Sequence, residues 1–220
     1  MGTAAKPLKK GDIKGWVVLD SNITAHYVED RYFWVDEFMA RTIVHDFKFE
    51  LLKTKKGDRL FIPIYQDGVL VSYTARAMDG QEPKYYSGPN GGPAGVLYDP
   101  LSTRTNSTVV LVEGPLDCVP FWNTPYRPIA VLGSGTPKAP GMHQAQIENL
   151  PKGVPIVVML DRDKLGDAAI LCGRIWSQGW KTILASHLLN WDYQKKRWHD
   201  PGSLEPSELT AKIELVMEAS

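Results

Sequence analysis

Two clusters of acids, each directly after a short aliphatic run, are the residues of this 220-residue chain whose types and spacing could do chemistry. Val109 to Val112 leads into Glu113-Gly114-Pro115-Leu116-Asp117, and Ile156 to Leu160 leads into Asp161-Arg162-Asp163-Lys164-Leu165-Gly166-Asp167. In an extended backbone Asp161 and Asp163 point the same way, because side chains alternate with a period of two. If the two runs are neighbouring strands of one sheet, Glu113 faces that pair and three carboxylates converge. Like charges that close repel. A hard, oxygen-seeking cation such as Mg2+ or Mn2+ removes the repulsion, and is held by a few carboxylates together with water and substrate phosphates. Each acid by itself has a plainer reading, a solvated loop residue or a helix N-cap, and Asp167 beside a helix start reads as a cap. The combination, at two strand exits with a glycine after each cluster, is what a cap or a loop does not explain.

The elements that must position these acids follow from periodicity. From residue 109 onward short apolar strands alternate with helices. The pattern predicts strands at 109–112, 129–132, 155–160 and 181–186, and helices at 116–122, 142–150, 167–178 and 207–217, with a hairpin at 190–198. Such a pattern implies a parallel sheet covered on both faces, whose ligands bind outside the carboxyl ends of the strands. The upstream half reads differently. A short strand is expected at 13–19 and a one-sided helix from Trp34 to Leu52, on the three-and-four recurrence of Val35, Phe38, Met39, Ile43, Val44 and Phe47. A β-hairpin follows, Arg59 to Tyr65 and Val69 to Ala77 around Asp67-Gly68. Residues 78–95 read as irregular on Pro83, Pro89, Gly91, Gly92 and Pro93. The polar stretch 103–108 marks a boundary, so the expected division is an α+β domain over 1–106 and an α/β domain over 107–220.

Composition narrows the partners. With 43% apolar, 10% aromatic and 23% charged residues the chain is an ordinary globular protein. Its 25 basic and 25 acidic residues cancel, so no global field attracts a polyanion, which must be held locally. Two cysteines, Cys118 and Cys172, supply neither a four-thiolate zinc site nor a disulfide framework; no zinc is expected, the thiols read as core, and the setting reads as reducing and cytoplasmic. No stretch approaches the ~20 apolar residues that span a bilayer, so no membrane partner is expected.

The acidic clusters resemble the Toprim signature of topoisomerases, bacterial-type primases and related nucleases, with Gly133-Ser134-Gly135-Thr136 similar to the small-residue turn between its motifs. His199-Asp200-Pro201-Gly202-Ser203-Leu204 resembles the primases' third acidic motif, an Asp-Pro-Asp, except that Gly202 stands in place of the second acid. Arg162 likewise stands where the primases usually have glycine. Upstream, the helix ending in Phe47-Lys48-Phe49, then Phe61-Ile62-Pro63-Ile64, Gly68, Ala75-Arg76, Pro83-Lys84-Tyr85 and Pro89 are similar to the N-terminal subdomain of the DnaG-type primase RNA-polymerase core. Over residues 31–205 the resemblance therefore implies a DnaG-type primase core: a Toprim domain, Rossmann-like with helices on both faces, preceded by a smaller α+β subdomain.

That resemblance implies template-directed synthesis of RNA primers from nucleoside triphosphates on single-stranded DNA. Glu113, Asp161 and Asp163 would hold Mg2+ or Mn2+, with Asp117 and Asp200 as outer or further ligands. Arg76, Lys84, Tyr85 and Lys164 would hold triphosphate or template, and a helicase or a zinc-ribbon-bearing partner would supply template capture. Two other readings share these residues: a Toprim nuclease that cuts a strand with the same acids, and a catalytically weak replisome binding module. Tyr85, Tyr86, Trp191, Tyr193 and Trp198 could stack on bases, although Trp191 and Trp198 also read as a cross-strand hairpin pair with Lys195, Lys196 and Arg197 at its tip.

Overall fold

The computed structural model of the chain describes residues 7–17, 21–88, 96–132, 142–192 and 197–220. They form two compact units, Met1–Val96 and Leu97–Ser220. The division falls earlier than the 106/107 boundary expected from the polar stretch, because that stretch is tied into the second unit. Tyr98 pairs with Ala130 through bonds of 2.9 and 3.2 Å. Asp99 accepts a forked bond from the Arg127 guanidinium at 2.5 and 3.1 Å. The Arg104 guanidinium donates to the carbonyls of Phe121, Trp122, Thr124 and Tyr126 at 2.6 to 3.0 Å.

The first unit contains β1 (Trp16–Val17), α1 (Ser21–Arg31), α2 (Glu37–Asp46), β2 (Glu50–Thr54), β3 (Gly57–Gln66), β4 (Val69–Ala77) and β5 (Tyr85–Ser87). The strands form one antiparallel sheet in the order β1-β2-β3-β4-β5. Helix α2 begins three residues after the expected Trp34, behind a cap: the Asp36 carboxylate accepts the Met39 N–H at 2.8 Å. It ends at Asp46, well short of the expected Leu52. Lys48 turns left-handed, with φ 55°, and the N–H groups of Lys48 and Phe49 donate to the carbonyls of His45 and Val44. This is a Schellman stop, which glycine usually announces. A lysine at that position leaves no signal in the sequence, and Leu51 and Leu52 belong to β2 instead.

Helix α1 had no counterpart in the periodicity reading. Its buried stripe of Thr24, Ala25 and Val28, continued by Tyr32, is short and lies among polar residues. The β3–β4 hairpin forms as its Asp-Gly pair predicts, since Asp67 at φ 51° and Gly68 at φ 77° supply the two positive angles of a type I′ turn. Strand β5 departs from the irregular reading of 78–95: it pairs along Thr74, Ala75 and Arg76, and Pro83 precedes it without interrupting it. Pro89, Gly91, Gly92 and Pro93 lie outside the described residues. The expected strand at 13–19 is β1 alone among them.

The second unit contains β6 (Val109–Val112), β7 (Arg127–Ala130), α3 (Gln144–Glu148), β8 (Ile156–Val158), α4 (Leu165–Trp176), β9 (Thr182–Leu184), β10 (Trp191–Asp192), β11 (Arg197–Trp198) and α5 (Pro206–Glu218). Strands β6 to β9 form the expected parallel sheet, in the order β7-β6-β8-β9. Every residue of β6 and β8 is buried, as a sheet covered on both faces requires. On one face Leu111, Ile129 and Val158 pack against Ile147 of α3 and Leu171 and Ile175 of α4. Each such aliphatic side chain contributes about 1.5–3 kcal/mol on leaving water. The helix expected at 116–122 is a 3-10 helix, Pro115–Phe121, because Pro120 within it has no N–H to complete an α-helical ladder. The other helices and strands form with shifted ends. Backbone pairing sets Trp191 opposite Trp198, while Tyr193, Lys195 and Lys196 lie outside the described residues, as does the turn at 133–136. No described helix is long and apolar enough to cross a membrane.

Candidate functional site

Chain order and strand order disagree at one place in the parallel sheet, and the acids stand there. From β6 the chain moves outward to β7, then returns across β6 to β8. That reversal opens a crevice at the carboxyl ends of β6 and β8. Val109 to Leu111 lie beside Ile156 to Val158, and the Met159 N–H still donates to the Leu111 carbonyl at 2.9 Å, so Glu113 and Asp161 leave the sheet side by side. On the other flank the Leu132 N–H bonds the Glu113 carbonyl at 3.0 Å, which fixes the exit of β6 from both sides.

Beyond Glu113 the chain enters the 3-10 helix Pro115–Phe121, and Asp117 in its first turn accepts the Gly114 N–H at 2.8 Å. Asp161 is the N-cap residue of a second short 3-10 helix, Arg162–Lys164, which runs into α4. This changes the relation of Asp161 to Asp163. They do not share a face by strand alternation, because the extended backbone ends at Asp161; Asp163 is carried on the 3-10 turn and is exposed, as is Lys164. Asp200, the N-cap residue of the 3-10 helix Pro201–Ser203, reaches the same region from the far end of the unit.

The carboxylates feel one another. Asp161 is pushed up to about 8 by burial first, then by the charges of Asp117, Glu113, Asp200 and Asp163. Glu113 is also raised, chiefly by burial, with Lys164 opposing and Asp163 and Asp167 adding to the rise. Asp161 Oδ1 is buried and has no hydrogen-bond partner among the described residues. As the side chains stand, no three His, Cys, Asp or Glu among the described residues close around one point. The site is a set of facing carboxylates, not a finished cage. Such a set fits Mg2+ or Mn2+, which takes one or two carboxylates and completes its shell with water and substrate phosphate, and the buried, unpartnered Asp161 oxygen is an acceptor that a cation would satisfy.

Asp161 costs the metal-free fold stability. Its folded pKa lies above the unfolded value of 3.8, so between roughly pH 4 and pH 8 the folded chain retains a proton that the unfolded chain has lost. The contribution is therefore lost as pH rises through that window. A shift of this size is worth at most about 5–6 kcal/mol, less after partial exposure is allowed for. Asp161→Asn is expected to stabilise the metal-free protein by about 1–3 kcal/mol at pH 8 and hardly at all at pH 4, as thermal melting at the two pH values will reveal.

The first unit gathers a second set of residues. Arg76 on β4 lies opposite Tyr85 on β5, its Nε donates to the Tyr27 hydroxyl at 2.7 Å and its Nη1 to the Tyr85 hydroxyl. The Tyr85 ring lies 5.0 Å from the Arg76 guanidinium carbon and 5.8 Å from Lys84 Nζ. Arg76, Lys84, Tyr27, Asp30, Arg31 and Gln81 line an open cleft of about 480 Å³. The family resemblance pointed to Arg76, Lys84 and Tyr85 but not to Tyr27, Asp30 or Arg31, which ride on α1. The stripe Ala25, Val28, Tyr32 was the signal that could have exposed that helix. Cys118 is buried with its thiol held well above the ordinary value, chiefly by burial, and Cys172 is half-buried.

No family model matches the chain, and no curated protein matches it. Solved structures do. The primase fragment of the bacteriophage T7 primase-helicase protein is 14% identical, with a TM-score of 0.60 over 97% of this chain and 83% of that one. The RNA polymerase domain of Mycobacterium tuberculosis primase DnaG, determined in complex with double-stranded DNA, is 14% identical with a TM-score of 0.56, over 88% and 77%. A DNA primase domain from Pseudomonas aeruginosa is 18% identical with a TM-score of 0.53 over 82% of this chain, which spans 60% of that structure's length. A parallel four-stranded sheet preceded by an antiparallel unit, with acids at the exits of its two central strands, thus has the fold of DnaG-type bacterial and phage primase catalytic cores.

Proposed function

We propose that the chain is a primase catalytic core that joins ribonucleotides on a single-stranded DNA template, the 3′-hydroxyl of one attacking the α-phosphate of the next. The observation that carries this is the exit of Glu113 and Asp161 from adjacent strands at the reversal of strand order, in a chain with a primase-core fold. A divalent cation held there would supply charge neutralisation to the phosphates and activation of the attacking hydroxyl. Glu113 and Asp161 would hold it, with Asp117, Asp200 and Asp163 adding negative charge that acts on Asp161. Asp161, whose carboxyl is pushed up to about 8 chiefly by burial, would have to be ionised to serve as a ligand. Lys164 opposes the charge of Glu113 and would meet a phosphate oxygen. Arg76 offers a planar fork and Lys84 a point charge to triphosphate or template backbone, and Tyr85 a ring face on which a base can stack.

A helicase or a zinc-ribbon protein is the partner this reading calls for, the first by likeness to the phage primase-helicase fragment. The test is incubation with single-stranded DNA, labelled ribonucleotides and Mg2+ or Mn2+. Oligomers that require both template and cation are expected. Shortening of the DNA with no oligomers would replace this reading with a nuclease, and neither product with a binding module.

A further inference from the structure

We infer that Gly202 is a positioning residue: by carrying no side chain it leaves open the space that the Asp117 and Asp200 carboxylates share. The inference rests on the reading of the acids as a cation site. A Cβ built on Gly202 would lie 2.5 Å from Asp117 Oδ1 and 3.3 Å from Asp200 Oδ1, so both oxygens border one small volume next to the Gly202 backbone. The Asp117 Cα stands 3.4 Å from the same point, because the 3-10 helices Pro115–Phe121 and Pro201–Ser203 pack directly against each other.

Backbone conformation does not explain the glycine. Gly202 sits in a 3-10 turn without a positive φ, where any residue is accommodated. Space does. Asp117 cannot simply swing aside for a methyl group, since its other oxygen, Oδ2, accepts the Gly114 N–H at 2.8 Å and would lie 3.2 Å from a Cβ on Gly114. Two glycines from distant parts of the chain therefore bracket one carboxylate, one through its backbone donor and one through its missing side chain. Asp117 is also the charge that acts most strongly on Asp161, which places the bracketed carboxylate on the acid side of the crevice. A methyl group at 202 would displace the Asp117 carboxylate, whose charge acts on Asp161.

The experiment uses the full chain and Mn2+ alone, followed by titration calorimetry, with thermal melting in parallel. Gly202→Ala is expected to bind Mn2+ roughly tenfold more weakly than wild type or worse, the range found when a group that orients a metal ligand is lost. It should also melt roughly 3–8 °C lower, from crowding in a packed contact. In the double variant Gly202→Ala/Asp117→Ala the carboxylate that the methyl group meets is gone, so it should melt no lower than Asp117→Ala alone. If wild type binds Mn2+ and Gly202→Ala binds it equally well, the role of Gly202 falls while the cation site stands. If wild type takes up no Mn2+, both fall. Should Gly202→Ala fail to fold, the melting cycle decides: rescue by Asp117→Ala supports the inference, and an equally unstable double variant overturns it.

Discussion

Asp161→Asn or Glu113→Gln will lower template-directed joining of ribonucleotides by at least about 10²–10³-fold, the scale on which a preorganised electrostatic contact contributes to catalysis. The reasoning is local. Both side chains leave adjacent strands at the centre of the parallel sheet, where backbone bonds fix their Cα positions, and both are partly withdrawn from water. Neither substitution disturbs that backbone or leaves a cavity. Loss of synthesis should accordingly come without loss of fold, and for Asp161→Asn with a gain in metal-free stability at pH 8. Labelled oligomers resolved on a gel, beside melting curves of the same preparations, provide the check. Undiminished synthesis by either variant would remove the acid it replaces from the reaction.

The second large effect is structural and falls on a residue outside both acidic clusters. Arg104→Ala is expected to destabilise the second unit by about 3–5 kcal/mol, because one guanidinium satisfies four carbonyls around the end of the 3-10 helix Pro115–Phe121. Of these carbonyls, that of Phe121 also accepts the Thr124 N–H at 3.2 Å and the Thr124 hydroxyl at 3.0 Å, so Arg104 completes a capping network at the helix end. Without Arg104 this part-buried network loses its central donor. The same helix carries Asp117 in its first turn, so Mn2+ affinity should fall along with the melting temperature. Arg104→Lys should recover only part of the loss, since an ammonium group cannot reproduce the fan of donors that a planar fork offers. Thermal melting of the three proteins will rank them.

Arg104 illustrates what pattern reading leaves out. It lies in the polar stretch 103–108, which composition marks as a linker, yet its donors bind the structure together. Lys48 is a similar case: a lysine in the left-handed conformation ends α2, and no periodicity rule anticipates it. Asp163 shows the converse. Alternation places it beside Asp161 on one face, but the backbone leaves the extended conformation at Asp161 and carries Asp163 to the surface.

The sequence by itself determined the alternation of apolar strands with helices, the Asp67-Gly68 hairpin, and the position of acids directly after two strands. These are local properties, set by side-chain periodicity and turn chemistry over a few residues. Only the tertiary structure decided that β6 lies between β7 and β8, that Asp161 is buried enough to hold its proton to about pH 8, and that Gly202 borders the Asp117 carboxylate. Strand order and burial arise from packing among segments remote along the chain, and charge–charge coupling depends on distances that no spacing in sequence encodes.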